Sequence, residues 1–374
     1  MTTCRQVGRY RSAAVPRYAL DATLWDEPIT GIGLYTHQLH RALSLLTPVE
    51  RWGATITGEL LRSRVGRSRW ALIELPSLLQ REKPDVFHAL ANFNLPLQKQ
   101  PGTRLILTVH DLVPMLLPET VSRPFRWQFE TWLSRSLTVA DHVICVSETT
   151  RQSILHRFDI SAERLTTIHH GVDHVLNVAP PDGTTVQWLD ALGLPASFVL
   201  YAGALDARKN VQLVLKAVEK LFDASTPTTL VLAGQRWFGS GPVEREIRRL
   251  RDRGVDVRPL GYLNDSVFYA LMKRAGVFVF PSTYEGFGLP PLEAMALGVP
   301  TIISDAGSLP EVCGSGALQV PTDDAATLAQ QIVRLQRDEG LRMQLKTAAR
   351  KVVAGKTWAR TAQQTLDVYR GVTG

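Results

Sequence analysis

The chain has 374 residues, of which 45% are hydrophobic, 21% charged and 7% aromatic. This composition excludes disordered, collagen-like and coiled-coil proteins, and the length exceeds the size at which a single domain usually divides in two. The formal charge of +7 indicates acidic partners, such as phosphates, nucleic acid or an anionic membrane surface, although it fits a basic soluble enzyme equally well.

The cysteines and the first residues favour a cytoplasmic protein. Cys4, Cys145 and Cys313 lie far apart without CxxC spacing, so neither a disulfide framework nor a zinc site is predicted. Residues 1–16 lack the apolar core of a secretory signal, and no apolar run approaches the roughly 20 residues of a membrane helix. Contact with the inner face of the membrane would be peripheral. Its candidate is the basic stretch from Arg62 to Trp70, which also fits a solvated loop before an amphipathic helix.

Short apolar segments alternate with longer helical patterns along the chain, which is typical of βα units around a parallel sheet. In the first half, strands are predicted at residues 18–20, 85–88, 105–109, 142–146 and 166–168, with helices near 34–45, 122–139 and 148–158. In the second half, strands are predicted at residues 198–202, 229–233, 255–260, 277–280 and 301–303, with helices after Asn210, Pro242, Asn264 and Pro291. One more helix is predicted for residues 357–370.

Turn residues between Pro180 and Gly183 indicate a linker between the two series. We therefore predict two doubly wound, Rossmann-like α/β domains, residues 1–180 and 181–355, that face each other across a cleft. Residues 356–374 are expected to pack back on the first domain. Doubly wound domains bind ligands at the carboxyl ends of their strands, so the site is expected in the strand-end loops between the halves.

The segment from Pro281 to Ala296 leads from a predicted strand into a helix. Gly286 and Gly288 allow the backbone to approach a ligand closely, and the helix N-terminus behind them would attract an anion. Glu285 and Glu293, with seven residues between them, could accept hydrogen bonds from sugar and ribose hydroxyls. Taken alone, Glu293 is also explained as a favourable first-turn charge and Glu285 as an exposed loop carboxylate.

Another strand end carries two cations, Arg208 and Lys209, directly before a helix that Asn210 is predicted to cap. Cations at a helix N-terminus oppose the helix dipole and cost up to about 1 kcal/mol each unless an anion lies between. A bound diphosphate would supply that anion, and a solvated pair that points away is the alternative. Tyr262 and Leu263 follow the strand predicted at residues 255–260. They could hold a nucleobase or face the core.

Together these segments resemble the family 4 retaining glycosyltransferases, which have the GT-B fold. The E-x7-E pair of Glu285 and Glu293 is the hallmark of that family, and the segments from Phe280 to Leu289 and from Ala296 to Pro300 follow its usual surroundings. The resemblance implies that Glu285 lies by the donor sugar and that Glu293 holds the ribose. It further implies that Arg208 and Lys209 neutralise the donor diphosphate.

The loop that carries Arg208 and Lys209, residues 203–210, is termed the cation loop. It departs from many family members, which carry an arginine where this chain has Ala204. Its spacing from Asp206 to Asn210 resembles the mannosyl- and rhamnosyltransferases of surface-polysaccharide assembly, such as lipopolysaccharide. That subgroup makes GDP-mannose the first expectation for the donor, followed by UDP- and dTDP-sugars. The donor contacts implied are Gly31, Gly33, Gly203, Tyr262, Leu263, Gly286, Phe287, Gly288, Leu289 and Glu293.

The resemblance extends to the first half, where the acceptor would bind. The segment from Thr30 to Tyr35 resembles the family's first loop and helix start, although it lacks the third glycine of a dinucleotide fingerprint. His110 matches a histidine that lies at the donor sugar, and Asp111 is expected to orient a neighbour. His88, also at a strand end, is expected to line the acceptor cleft. A lone histidine after a strand is often structural.

Two polar segments have local explanations. Ser147 resembles the family's strand-to-helix turn and also suits a helix N-cap. His169 and His170 are adjacent, which suggests a metal, but no third ligand is evident and a turn is favoured. The chain contains no Asp-x-Asp pair, so no metal or other cofactor is expected.

The prediction is a hexosyltransferase that moves a sugar from a nucleotide sugar to a hydroxyl of a glycan or lipid-linked acceptor, with no nucleic-acid partner. The resemblance implies front-face attack with retained α configuration, and stabilisation of the leaving diphosphate would supply the catalysis. Three alternatives remain open: a disaccharide phosphorylase, a nucleotide-sugar epimerase, or a non-catalytic nucleotide-binding subunit. The missing glycine-rich dinucleotide loop argues against a dehydrogenase.

Overall fold

The computed structural model describes residues 16–25, 31–52, 70–92, 94–235 and 241–374. The basic stretch considered for membrane contact lies outside these residues, except for Trp70. In the part of the chain that is described, no helix is long and apolar enough to cross a membrane.

Within the described residues, the first half forms a parallel sheet of six strands in the order β2-β1-β3-β4-β5-β6. These strands are β1 (Tyr18–Asp21), β2 (Val49–Trp52), β3 (Val86–Ala89), β4 (Arg104–Val109), β5 (His142–Cys145) and β6 (Leu165–Thr167). The helices are α1 (Gly31–Leu43), α2 (Leu75–Glu82), α3 (Val113–Leu116), α4 (Arg123–Val139) and α5 (Glu148–Arg157). A π-helical turn precedes α2 at Trp70–Glu74, and 3-10 turns lie at Pro118–Thr120, Ala162–Arg164 and Asp173–Asn177.

The second half forms another parallel sheet, whose six described strands follow the order β12-β11-β10-β7-β8-β9. They are β7 (Val199–Ala202), β8 (Leu230–Ala233), β9 (Val257–Gly261), β10 (Val277–Phe280), β11 (Thr301–Ser304) and β12 (Leu318–Val320). The helices are α6 (Gly183–Ala191), α7 (Val211–Asp223), α8 (Gly241–Asp252), α9 (Asp265–Arg274), α10 (Leu289–Ala296), α11 (Leu309–Cys313), α12 (Ala325–Arg337), α13 (Glu339–Ala354) and α14 (Trp358–Thr373), with a 3-10 turn at Gly314–Gly316.

The predicted fold class, two doubly wound Rossmann-like domains, is confirmed. The central strands are buried along their whole length, as the continuous apolar run of β10 illustrates, because helices cover both faces of each sheet. The edge strands β2 and β12 were not predicted from the sequence. Each is short and partly exposed, so neither carries an apolar run that marks a strand.

The last helix, α14, belongs to the second half in sequence but packs on the first. Trp358, Leu366 and Tyr369 are buried in one cluster with Tyr18 of β1 and Leu39 of α1. Among the described residues, the chain therefore crosses between the halves twice, before α6 and again before α14.

The halves contact each other at the loop after β10. A Cβ atom built on Gly286 would lie 1.8 Å from the carbonyl oxygen of His110, so only glycine fits there. Ser147 Oγ, before α5, donates to the carbonyl oxygen of Gly286 at 2.6 Å. The carboxyl ends of strands from both sheets thus meet at this loop.

Candidate active site

The loop between β10 and α10, residues 281–288, is termed the donor loop. Gly288 ends it with a φ of 97°, and α10 begins at Leu289. Pro290 and Pro291 occupy the next two positions of α10 and have no N–H group, so they cannot donate to a ligand. The backbone donors here belong to Phe287, Gly288 and Leu289, while the helix dipole still favours an anion.

Glu285 lies at the centre of a charged cluster in the donor loop. Its Oε1 accepts from Lys209 Nζ at 2.6 Å and from Arg208 Nη1 at 3.0 Å, and Arg208 also donates to the carbonyl of Tyr284. Burial by itself would raise the pKa of Glu285, but Lys209 and Arg208 outweigh it and hold that pKa below its ordinary value. Two cations thus converge on one carboxylate.

This pairing corrects the expectation that Arg208 and Lys209 lack any anion within the protein. Glu285 supplies one negative charge against their two positive charges, and the carboxylates of Asp206 and Asp111 also act on Arg208. Burial raises the pKa of Asp111 across the cleft, and the positive charges of Arg208 and Lys209 oppose this effect. Lys209 and Arg208 carry more N–H donors than the bonds to Glu285 and Tyr284 use, so they can bind a second anion.

Asn210 does not cap α7 with its side chain, contrary to the prediction. Its backbone is left-handed, with a φ of 53°, and its Nδ2 donates instead to the carbonyls of Pro281 and Thr322 at 3.2 and 2.8 Å. Asp206 Oδ1 accepts from the backbone N–H of Lys209 at 2.8 Å. Asn210 therefore ties the cation loop to the donor loop.

Glu293 on α10 is buried, with 4% of its surface exposed. Its Oε1 accepts from Tyr269 Oη and from His174 Nε2, both at 3.1 Å. Trp358 Nε1 donates to Nδ1 of His174 at 3.1 Å, which places the His174 proton on Nε2. Sequence reasoning missed these three partners because they lie on separate elements far along the chain.

Three glycines stand side by side at the ends of β7, β8 and β9. Gly203, Gly234 and Gly261 all have positive φ, and a Cβ atom on Gly234 would lie 1.9 Å from the carbonyl oxygen of Gly203. Next to them, Tyr262 is 53% exposed, which rules out the core-facing alternative. Gly234 was not predicted, although its position after a strand matches that of Gly203. Asn264 caps α9 as predicted.

His110, after β4, is buried beside the donor loop. Its Nε2 lies 2.8 Å from the carbonyl oxygen of Leu90, and because a carbonyl only accepts, Nε2 carries the proton. Burial lowers the pKa of His110 to about 4, although the hydrogen bond to Leu90 opposes this. The ring is therefore neutral at neutral pH, and Nδ1 is its acceptor. Asn92, which was not predicted, accepts from the backbone N–H of His110 at 2.6 Å.

Of the other residues predicted in the first half, Gly31, Gly33 and Asp111 face the second half, whereas His88 does not. Gly31 and Gly33 lie in the first turn of α1, and the adjacent Leu34 packs against the core cluster of the second half. Asp111 Oδ1 accepts from the N–H of Val113 at 3.1 Å and so orients the start of α3. These residues lie on the side of the first half that faces the donor loop.

His88 does not line the cleft, which corrects the prediction. It is fully buried within β3, where Nδ1 bonds to Tyr369 Oη and Nε2 bonds to Thr108 Oγ1, both at 2.8 Å. Burial lowers its pKa to about 3. Both ring nitrogens are occupied, so His88 is a core residue that connects β3 to α14.

The adjacent histidines do not form a metal site with their neighbours. His169 Nε2 bonds to Glu311, and its Nδ1 accepts from Lys356 Nζ. His170 packs among the rings of Tyr35, Phe287 and Trp358. Across the ranges that the structure describes, no group of three or more histidine, cysteine or acidic side chains could hold a metal ion.

Two family models match the chain. One, described as glycosyl transferases group 1, matches residues 192–352, and the other, Glycosyltransferase Family 4, matches residues 31–176. The chain belongs to the family 4 glycosyltransferases. It is an enzyme of the hexosyltransferase class.

Two relatives of this glycosyltransferase are named as mannosyltransferases. The O-antigen chain mannosyltransferase B of Escherichia coli is 28% identical, and the match covers 92% of this chain and 96% of that protein. The serotype-specific mannosyltransferase WbdA of Escherichia coli is also 28% identical, and the match covers 81% of this chain but only 39% of that longer protein.

Solved structures show the same GT-B fold. Sucrose-phosphate synthase from Thermosynechococcus elongatus superposes with a TM-score of 0.73 at 22% identity, over 96% of this chain and 99% of that one. The Anabaena protein HepE, in complex with UDP and glucose, superposes with a TM-score of 0.70 at 18% identity, over 95% and 99% of the two chains.

Buried neutral histidines make the stability of the glycosyltransferase sensitive to acid. His88, His110 and His170 all have pKa values below that of a histidine in the unfolded chain, mainly because burial disfavours their charged forms. As the pH falls below 6.5, the histidines of the unfolded chain bind protons, whereas the buried rings of the native state stay neutral. The free energy of unfolding therefore decreases. Burial raises the pKa values of Asp21, Asp111 and Asp265, which gives the opposite sign, and it lowers those of His40 and His142, which adds to the loss. The histidines outweigh the aspartates, since among these aspartates only Asp21 has a pKa raised as far as about 6.

We therefore expect the free energy of unfolding to fall by at least about 1.4 kcal/mol per unit between pH 6 and 5. Urea denaturation followed by fluorescence at several pH values measures this slope. His88→Gln should reduce this slope by the contribution of one proton, about 1.4 kcal/mol per pH unit. Substitution of an exposed histidine, His156→Gln, should leave the slope unchanged. A stability that is constant from pH 7 to 5 would contradict the neutral assignment of the buried rings.

Proposed function

We propose that this glycosyltransferase transfers mannose from GDP-mannose to a hydroxyl of a glycan or lipid-linked acceptor, with retention of the α configuration. The observation that carries the proposal is the cluster in which Arg208 and Lys209 meet Glu285 beside the glycines of the donor loop. The relatives named as mannosyltransferases support mannose as the transferred sugar.

In this proposal the second half binds the donor. Arg208 and Lys209 hold the diphosphate, since each can donate further hydrogen bonds beside the one that it donates to Glu285. The ribose hydroxyls donate to Glu293, whose Oε1 is already fixed by Tyr269 and His174. The backbone around the diphosphate and base is supplied by Gly203, Tyr262, Leu263, Gly286, Phe287, Gly288 and Leu289.

The first half supplies groups that face the transferred sugar and the acceptor. His110 accepts a hydrogen bond from a sugar hydroxyl at Nδ1, because Nε2 already donates to Leu90. Gly31 and Gly33 bring the backbone of α1 near the sugar or its phosphate, and Asp111 orients the loop after β4.

The chemistry is a front-face substitution. The acceptor oxygen forms a bond to the anomeric carbon on the face from which the diphosphate departs, and the leaving phosphate oxygen takes the acceptor proton. Glu285 is not a nucleophile in this scheme, because two cations already hold its Oε1. Arg208 and Lys209 stabilise the charge that develops on the leaving oxygen.

These cations perform the work that a bound Mg²⁺ performs in metal-dependent transferases. We therefore propose that the enzyme needs no metal and that transfer survives addition of EDTA. A lipid-linked acceptor would place the enzyme at the inner face of the cytoplasmic membrane, in the synthesis of a surface polysaccharide.

A thermal-shift panel of GDP, UDP and dTDP tests the donor assignment, because a ligand that binds the native state raises the unfolding temperature. GDP is expected to give the largest shift, and a larger shift with UDP or dTDP would overturn the choice of GDP-mannose. Release of sugar phosphate from a disaccharide upon addition of inorganic phosphate would instead favour a phosphorylase.

A further inference from the structure

Glu311 on α11 of the second half accepts four hydrogen bonds from the first half. Its carboxylate oxygens accept from the backbone N–H groups of Glu148 and Thr149 at 2.7 and 2.9 Å, and from Thr149 Oγ1 at 2.9 Å. His169 Nε2 lies 2.8 Å away and completes the set. Burial opposes ionisation, but these bonds lower the pKa of Glu311 to about 2. We call this contact the clasp.

The clasp neutralises a helix N-terminus from the opposite half. Helix α5 leaves its first N–H groups without partners inside the helix, and such groups favour a negative charge. Ser147 Oγ, the N-cap, satisfies the N–H of Thr150 at 3.0 Å, and Glu311 satisfies the two that precede it. The α5 terminus is therefore complete only while the two halves are in contact.

The clasp is connected to the donor loop on both sides. On the first half, Ser147 Oγ donates to the Gly286 carbonyl at 2.6 Å. On the second half, Ser308 Oγ, directly before α11, lies 3.0 Å from the carbonyl oxygens of Glu285 and Phe287. Helices α5 and α11 thus hold the donor loop between them, with Glu311 as the link.

Each segment in which the chain crosses between the halves contributes one residue to the clasp. His169 follows β6 in the first crossing, and Lys356 precedes α14 in the second. Lys356 Nζ lies 3.0 Å from Nδ1 of His169, and because an ammonium only donates, the histidine proton resides on Nε2 and points to Glu311. The tautomer that Glu311 requires is fixed by this lysine.

We propose that Glu311 is a positioning residue that closes the cleft and so brings His110 of the first half to the donor loop of the second. This inference rests on the proposed sugar transfer. The proposed contacts of GDP lie mainly on the second half, whereas transfer also needs His110 of the first half. Loss of the clasp should therefore slow transfer without weakening nucleotide binding.

The test compares Glu311→Gln with a matched variant, Asp324→Asn. Asp324 accepts the same kinds of bonds, from two backbone N–H groups and one threonine hydroxyl at the start of α12, but all within the second half. Small-angle X-ray scattering of the full chain measures the radius of gyration, and kinetics with GDP-mannose measures kcat. Calorimetric titration with GDP measures the Kd of the nucleotide.

We expect Glu311→Gln to increase the radius of gyration and to lower kcat at least about tenfold, with the Kd of GDP changed less than about twofold. Asp324→Asn should change neither the radius nor kcat. Thr149→Val removes one hydroxyl from the clasp and should act in the same direction as Glu311→Gln, with a smaller effect; it serves as the test if Glu311→Gln does not fold.

Equal behaviour of the clasp variants and Asp324→Asn would overturn the assignment. A fall in GDP affinity that matches the fall in kcat would do so too, since Glu311 would then act on donor binding. The scattering measurement needs no substrate. A wild-type enzyme that turns over no sugar nucleotide would therefore contradict the proposed function, while the scattering result would still decide whether Glu311 closes the cleft.

Discussion

Glu285→Gln is expected to lower the rate of sugar transfer by about 10²- to 10³-fold while GDP binding is retained. The substitution keeps the shape of the side chain but removes the charge that lies 2.6 Å from Lys209 and 3.0 Å from Arg208. Both cations then become available to a diphosphate. The affinity for GDP should stay the same or increase, whereas the carboxylate that is proposed to lie at the donor sugar is lost.

The same substitution should destabilise the enzyme in the absence of nucleotide. Removing one partner from a largely buried ion pair costs about 3 kcal/mol, because the remaining charge is left uncompensated. GDP should recover much of this loss by supplying the missing anion. Thermal unfolding with and without GDP, together with the rate of mannose transfer, measures both effects.

Glu339→Gln is a suitable control, since Glu339 lies on the exposed first turn of α13 in the same half. It should change neither transfer nor the response to GDP. If Glu285→Gln retained transfer within about threefold of wild type, or lost GDP binding altogether, the proposed role of Glu285 would be wrong.

Lys209→Met is expected to weaken GDP binding by about tenfold or more and to lower the rate of transfer by about 10²-fold. The ammonium is proposed to neutralise the leaving diphosphate, and methionine preserves the length of the side chain without its charge. Lys209 is also the largest charge that lowers the pKa of Glu285 against the effect of burial. The residual activity should therefore be lost at a higher pH than in the wild type as the solution is acidified.

Lys216→Met provides the comparison, because Lys216 is exposed on α7, which directly follows the cation loop. It removes the same charge from the same helix without touching the donor loop. Equal effects of the two variants on GDP affinity would show that Lys209 acts through general electrostatics and does not contact the diphosphate.

The sequence was most informative where a local pattern has a single structural explanation. The apolar run of β10 and the turn chemistry after it predicted a buried strand and a strand-end loop, and both are present. The same reasoning located Glu285 and the cations of the other strand end. Their mutual pairing was not predictable, since Lys209 and Glu285 are 76 positions apart and no local pattern records that distance.

The failures have specific physical causes. His88 lies within β3 and not beyond its end, and both faces of the sheet are covered, so its side chain is buried and does not reach the cleft. Asparagine is a common N-cap residue, but the left-handed backbone of Asn210 directs its amide toward the carbonyls of Pro281 and Thr322. Glu311 looks like any acid in a first helical turn, and only the packing of the halves shows that it serves α5 instead.

The most direct test of the account is a transfer assay with purified enzyme, GDP-mannose and a mannose-containing glycan or lipid-linked acceptor. Nuclear magnetic resonance of the product determines the anomeric configuration of the new bond. The account predicts release of GDP coupled to a new α-linked mannose, and loss of both with Glu285→Gln. An inverted β product, or no turnover of GDP-, UDP- or dTDP-sugars, would contradict it.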